Sequence, residues 1–154
     1  MDTELTDDEH LRAPAALEGV VGNNNDTLAV LVGGAGERPL PALLAAYGQH
    51  TLHRILIAAF GIDATMDRDE TGRLVAEINS DPMARMVFLL TDALHHQAAL
   101  AGDDPATAKR IGGSILGAIH AIHAIHAIHA FTDAADHDAP ALLRALRSEV
   151  LRVD

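Results

Sequence analysis

Residues 111–131 read IGGSILGAIHAIHAIHAIHAF, a stretch that contains no Asp, Glu, Lys or Arg. Within it the triplet Ala-Ile-His occurs four times, which spaces His120, His123, His126 and His129 three residues apart. Helical residues three apart are neighbours, but each such step falls about 60° short of a full turn. The imidazoles, isoleucines and alanines therefore all spiral around the helix, and every side of it is largely apolar. A helix of this kind is usually buried in a core, an interface or a membrane.

Signals for helix ends surround this stretch and recur along the chain. A capping aspartate before a proline marks a helix start at Asp81–Pro82 and again at Asp104–Pro105. Glycines typical of helix ends follow apolar segments at Gly61 and Gly102. Combined with apolar residues at helical spacing, these signals predict helices at 39–60, 67–79, 82–101, 105–135 and 140–153.

The sequence therefore predicts an all-α fold: a single-domain helical bundle of about five helices with a long central His-bearing helix at about 105–135. Residues 27–32 could form a short strand or a short helix, and the helix is favoured because a single strand would have nothing to pair with. For helix 82–101, the apolar stripe at helical spacing is Met83, Met86, Val87, Leu90 and Leu94.

The N-terminal residues differ in composition from the rest of the chain. Residues 1–12, MDTELTDDEHLR, are acidic and lack the apolar segment of a signal peptide. A polar run, GNNND, ends at Asp26. We expect residues 1–26 to be an acidic, flexible tail and residues 27–154 to form one helical-bundle domain. The expected location is the cytoplasm.

The chain has a strongly negative net charge, and the residue types that carry its charges are unusual. Its 22 acidic residues are mostly Asp, its 11 basic residues include a single Lys, and the net charge is −11. An excess of Asp over Glu is typical of proteins adapted to salt, so a halophilic source is expected. Binding of nucleic acid requires a concentrated basic surface, which this composition does not favour. The absence of Cys excludes disulfides and thiolate metal sites.

The clustered histidines are the residues that most suggest chemistry. His95 and His96 lie three and four residues after Asp92. His50 and His53 form another close pair. Imidazoles and carboxylates on facing helices of a bundle can hold a metal ion. The candidate ligands are His96, Asp92, His95, His120, His123, His126 and His129. Such a set would suit Zn²⁺, Ni²⁺ or Cu²⁺.

The Ala-Ile-His repeat also has explanations without a metal. Replication slippage in GC-rich DNA produces repeats of nine nucleotides, and the histidines would then only be tolerated. The spiral turns His120 and His129 to opposite sides, which disfavours one shared site. Residues 111–131 are long enough to span a membrane, but four imidazoles and three glycines disfavour that alternative.

Two functional hypotheses follow from these patterns. The first is a non-enzymatic helical structural or assembly protein that acts through self-association, as a homo-oligomer, or as a subunit of a larger complex. It rests on the apolar helix, whose small residues allow close helix approach and whose imidazoles would be buried. The alternative is a transition-metal-binding helical bundle that uses the clustered histidines. Neither a nucleophile–base pair nor an acid/base pair is identifiable, so catalysis is not expected.

Overall fold

The computed structural model describes residues 4–135, with side chains described as far as Ile125. All regular elements in this part are helices, and their bounds are α1 Asp7–Val21, α2 Asn25–Val30, α3 Leu40–Ala59, α4 Arg68–Ser80, α5 Pro82–Ala101 and α6 Pro105–Ala135. The prediction of an all-α bundle is confirmed. The helix predicted at 140–153 lies outside the described residues.

The helix boundaries are fixed by the capping residues that the sequence indicates. Asp81 accepts a hydrogen bond of 2.9 Å from the backbone N–H of Ala84 and precedes a proline at the first position of α5. Asp104 accepts one of 2.9 Å from Thr107 at the start of α6. Gly102, after α5, has a φ of 58°, a left-handed conformation that glycine adopts without steric cost. The bounds predicted for α3, α4, α5 and α6 therefore agree with the structure to within one residue.

Among the described residues, helix α3 contains more buried residues than any other helix. Its fully buried side chains include Leu43, Leu44, Leu52 and Leu56. It packs against α1 on one side and α5 on another, while α4 packs against α5. The backbone N–H of Leu40, at its first position, donates a hydrogen bond of 2.8 Å to a carboxylate oxygen of Asp103 from the α5–α6 turn. That bond satisfies a donor at the helix start, where no intrahelical partner exists.

The beginning of α6 packs closely against α1 and α3. A Cβ added at Gly48 of α3 would lie 2.4 Å from Cδ1 of Ile115, and one added at Gly112 would lie 2.9 Å from Cγ2 of Val20. Ile111 and Ile115 are fully buried. Gly112 is therefore used for packing within the chain. By its internal contacts the chain divides into two units, Met1–Ala118 and Ile119–Asp154, so this packing belongs to the first unit.

The expectation of a flexible tail over 1–26 is wrong for residues 7–21, which form α1. Thr6 and Glu9 form a reciprocal capping box: the Glu9 N–H donates to the Thr6 hydroxyl, and the Thr6 N–H donates to the Glu9 carboxylate at 2.9 Å. Ala13 and Ala16 are completely buried. The acidic residues therefore occupy the first turn of a packed helix, where negative charge is favourable.

Within residues 4–135, no helix is both long enough and apolar enough to cross a bilayer.

Candidate functional site

The adjacent histidines of α5 have different surroundings. His95 is half-buried, and its Nε2 lies 2.6 Å from the side-chain oxygen of Gln49 in α3. Because an amide oxygen accepts, Nε2 carries the proton and donates. His96 and Asp92 are exposed. His95 therefore joins α5 to α3, and it does not share a ligand cluster with its neighbours.

The Ala-Ile-His repeat does not bury its first two imidazoles. His120 and His123 are both exposed in the single chain, so burial of the repeat in an interface stays a prediction. Because each copy of a three-residue repeat rotates by about 60°, the helix cannot keep one residue type on one side. The side chains of His126 and His129 lie outside the described part of the chain. Among the side chains described up to Ile125, no three or more His, Cys, Asp or Glu are grouped to hold a metal ion. The transition-metal hypothesis thus stays a prediction.

One face of α5 is apolar and has no covering element in the described structure. Its members follow one another at alternating spacings of four and three residues, and all are exposed: Pro82, Met86, Leu89, Ala93, His96 and Leu100. We call this set the outer seam. Met86, Leu89 and Leu100 are 67%, 65% and 78% exposed. These residues form a largely apolar exposed surface along the helix, interrupted by His96, and such patches often mark interaction sites.

The inner face of α5 is a second stripe with the same kind of spacing. It consists of the buried residues Ala84, Val87, Thr91, Leu94 and Ala98. The sequence-based stripe placed Met86 with Val87 and Leu94, and this assignment is wrong for Met86. One residue corresponds to about 100° around the helix, so Met86 points away from the core that Val87 fills.

Two further histidines, His10 of α1 and His50 of α3, come together although they are far apart in sequence. Their rings are arranged edge to face with 5.8 Å between centroids. One helical turn along α3, the His53 ring contacts Phe88 of α5 in the same manner at 5.1 Å. The His50–His53 pair was visible in the sequence. Its approach to His10 depends on helix packing, which the sequence pattern does not reveal.

Burial lowers the pKa of His53 below its ordinary value of 6.5, with His50 adding to the effect and Asp92 opposing it. The pKa of His95 is lowered for the same main reason; Asp92 again opposes the change, and Arg38 adds to it. Both imidazoles are therefore held preferentially neutral in the folded chain. The unfolded chain binds more protons than the folded chain just below pH 6.5, so acid favours unfolding.

We expect the stability of the protein to be fully retained above pH about 6.5 and to fall as the pH drops below that value toward the folded-state pKa of His53 and His95. Urea unfolding midpoints measured between pH 5 and 7.5 test this. The double substitution His53→Gln and His95→Gln should flatten the profile. Asn79→Gln, an exposed substitution on α4 that involves no titratable group, should leave the slope unchanged. An unchanged slope in the double variant would show that other groups control the acid response.

No protein-family model, curated protein or solved structure matches this chain. Candidate functions therefore depend on its own geometry. Two features stand out within the described residues: the outer seam of α5, and the surface around His10 and His50 between α1 and α3.

Proposed function

We propose that this protein is a non-enzymatic helical assembly protein that self-associates by pairing the outer seam of α5 with the same seam of a second copy. The observation that carries the proposal is the exposure of Met86, Leu89 and Leu100 on one face of a helix whose opposite face is buried. Covering this face would remove apolar surface from water at a gain of about 25 cal/mol per Å².

The spacing of the outer seam favours a helix as the partner. Its six residues fit the a and d positions of a heptad repeat, with Met86, Ala93 and Leu100 at a and Pro82, Leu89 and His96 at d. In paired helices, side chains at a and d insert between residues of the facing helix. Ala93 leaves space into which a larger side chain of the facing helix can fit.

Charged residues beside the outer seam favour a second copy of the same helix as its partner. Arg85 and Asp92 are exposed and lie one heptad apart on the same edge of the seam, at the g positions. When two copies pair in antiparallel orientation, the g edges face one another. Arg85 of each copy then approaches Asp92 of the other, so the surface is complementary to itself about a twofold axis.

The first test is the association state of the full chain, measured by sedimentation equilibrium over a range of concentrations. We expect a dimer or a larger oligomer for the wild type. Leu89→Glu should weaken association at least about 10-fold, because a carboxylate would be buried at the centre of the interface without a partner. Leu11→Glu is the matched control, since Leu11 is 76% exposed on α1, away from the seam. A monomeric wild type, or equal weakening by both substitutions, would contradict the proposal.

A charge exchange tests whether the partner is a second copy. Arg85→Glu and Asp92→Arg should each weaken self-association, because each places like charges opposite one another. The double variant reverses both charges and should restore association. If each single variant weakens association and the double variant weakens it further, the antiparallel pairing is wrong.

A further inference from the structure

A cavity of 390 Å³ opens between α1 and α3 beside the paired rings of His10 and His50. Tyr47, Thr51 and Arg54 of α3 complete its polar wall. Every one of these five side chains can donate a hydrogen bond. The volume lies within the range of sites for small molecules, which is about 300–1,000 Å³.

A second cavity of 320 Å³ adjoins the first and shares His50 and Arg54 with it. It is also lined by His53, whose Nε2 is buried and makes no hydrogen bond with the described residues. A buried polar atom without a partner carries an energetic cost, which a bound ligand could remove. The two cavities together place three imidazoles and a guanidinium along one side of α3.

The charge of these cavities is opposite to that of the chain. Acidic residues outnumber basic residues 22 to 11 in the sequence, yet no Asp or Glu is found among the described residues that line either cavity. A guanidinium binds carboxylate and phosphate groups with two parallel hydrogen bonds. The walls of the first cavity also include Ile55 and Ala58, which offer apolar contact beside the donors.

We propose that the cavity between α1 and α3 binds a small organic anion, a carboxylate or a phosphate ester, through His10, His50 and Arg54. Arg54 holds the anionic group, the two imidazoles and the hydroxyls of Tyr47 and Thr51 donate to it, and the apolar part of the ligand lies against Ile55. A metal ion fits this site less well, because the guanidinium repels a cation and the described residues present no group of three ligands.

An anion that is held by imidazoles should bind more tightly in acid, because an imidazole changes charge between pH 5 and 8. The other titratable groups lining the two cavities are Tyr47, His53 and Arg54 from α3. Asp92 of α5 acts on His53 and favours its charged form.

Calorimetric titration of the full chain tests the proposal with phenyl phosphate and benzoate as probes and benzyl alcohol as the neutral comparison, at constant ionic strength. At pH 5.5 we expect saturable binding of at least one anion, with one site per chain. Binding of benzoate, which carries one negative charge at both pH values, should weaken about 5-fold or more at pH 8. Arg54→Gln and His50→Gln should each weaken it about 10-fold at pH 5.5.

Arg73→Gln and His123→Gln are the matched controls, because Arg73 and His123 are exposed and line neither cavity. Both variants should bind the anion as the wild type does. Equal weakening in the controls would show that binding does not depend on the residues of the cavity and would overturn the proposal. So would the absence of binding at pH 5.5, or equally strong binding of benzyl alcohol.

Discussion

Substitution of Leu44 by Ala is expected to lower the free energy of unfolding by about 2–5 kcal/mol. Leu44 is completely buried in α3, the helix that packs against α1 and α5. Its replacement removes apolar contacts and leaves a cavity that the surrounding helices can close only in part. Urea unfolding followed by circular dichroism at pH 7.5 measures the change, away from the acid range in which His53 and His95 are expected to titrate.

The matched control is Leu11→Ala, which makes the same chemical change at a position 76% exposed on α1. Surface substitutions of this kind usually change stability by less than about 0.5 kcal/mol. A similar loss at both positions would mean that the packing around α3 differs from the structure described here.

Local signals predicted most of the helices because they act within a few residues. Asp81 and Asp104 mark helix starts with hydrogen bonds that span three residues. The same kind of signal was present at Thr6 and Glu9, in the capping-box pattern Thr-x-x-Glu. The expectation of a tail failed there because acidic composition was given more weight than that local pattern.

The two faces of α5 show why spacing could not identify the exposed surface. The inner stripe and the outer seam both repeat at three- and four-residue intervals, and both contain Leu and Ala. A helix that is apolar on two faces needs two covering surfaces. The sequence reveals that need, but which face meets α3 is decided by the packing of several helices together.

The cavity beside His10 and His50 depends on contact between residues 40 positions apart in sequence. The sequence drew attention to the repeat from His120 to His129, where the pattern is most regular. In the structure, the first two of those imidazoles are exposed, while His10 and His50 meet through the packing of α1 on α3. Regularity along a chain therefore says little about which side chains converge.

A second large effect on stability is expected from Gly48→Ala. The new Cβ would lie 2.4 Å from Cδ1 and 2.6 Å from Cγ1 of Ile115, whose side chain is completely buried. Relieving this overlap should cost about 1–3 kcal/mol. Gly113→Ala is the matched control, since a Cβ there meets no atom within 4 Å. It should stabilise the helix by about 0.5–1 kcal/mol, because Ala favours the helical backbone more than Gly does.

The difference between the two variants isolates the contact between α3 and α6, because the gain in helix propensity is similar in both and cancels. Combining Gly48→Ala with Ile115→Ala tests that contact directly. Ile115→Ala by itself should destabilise by about 2–5 kcal/mol, but in the double variant the added methyl group occupies part of the space that the isoleucine leaves. The combined loss should therefore be smaller than the sum of the single losses by about 0.5–3 kcal/mol. Additive losses in the urea titrations would show that Gly48 and Ile115 are not in contact.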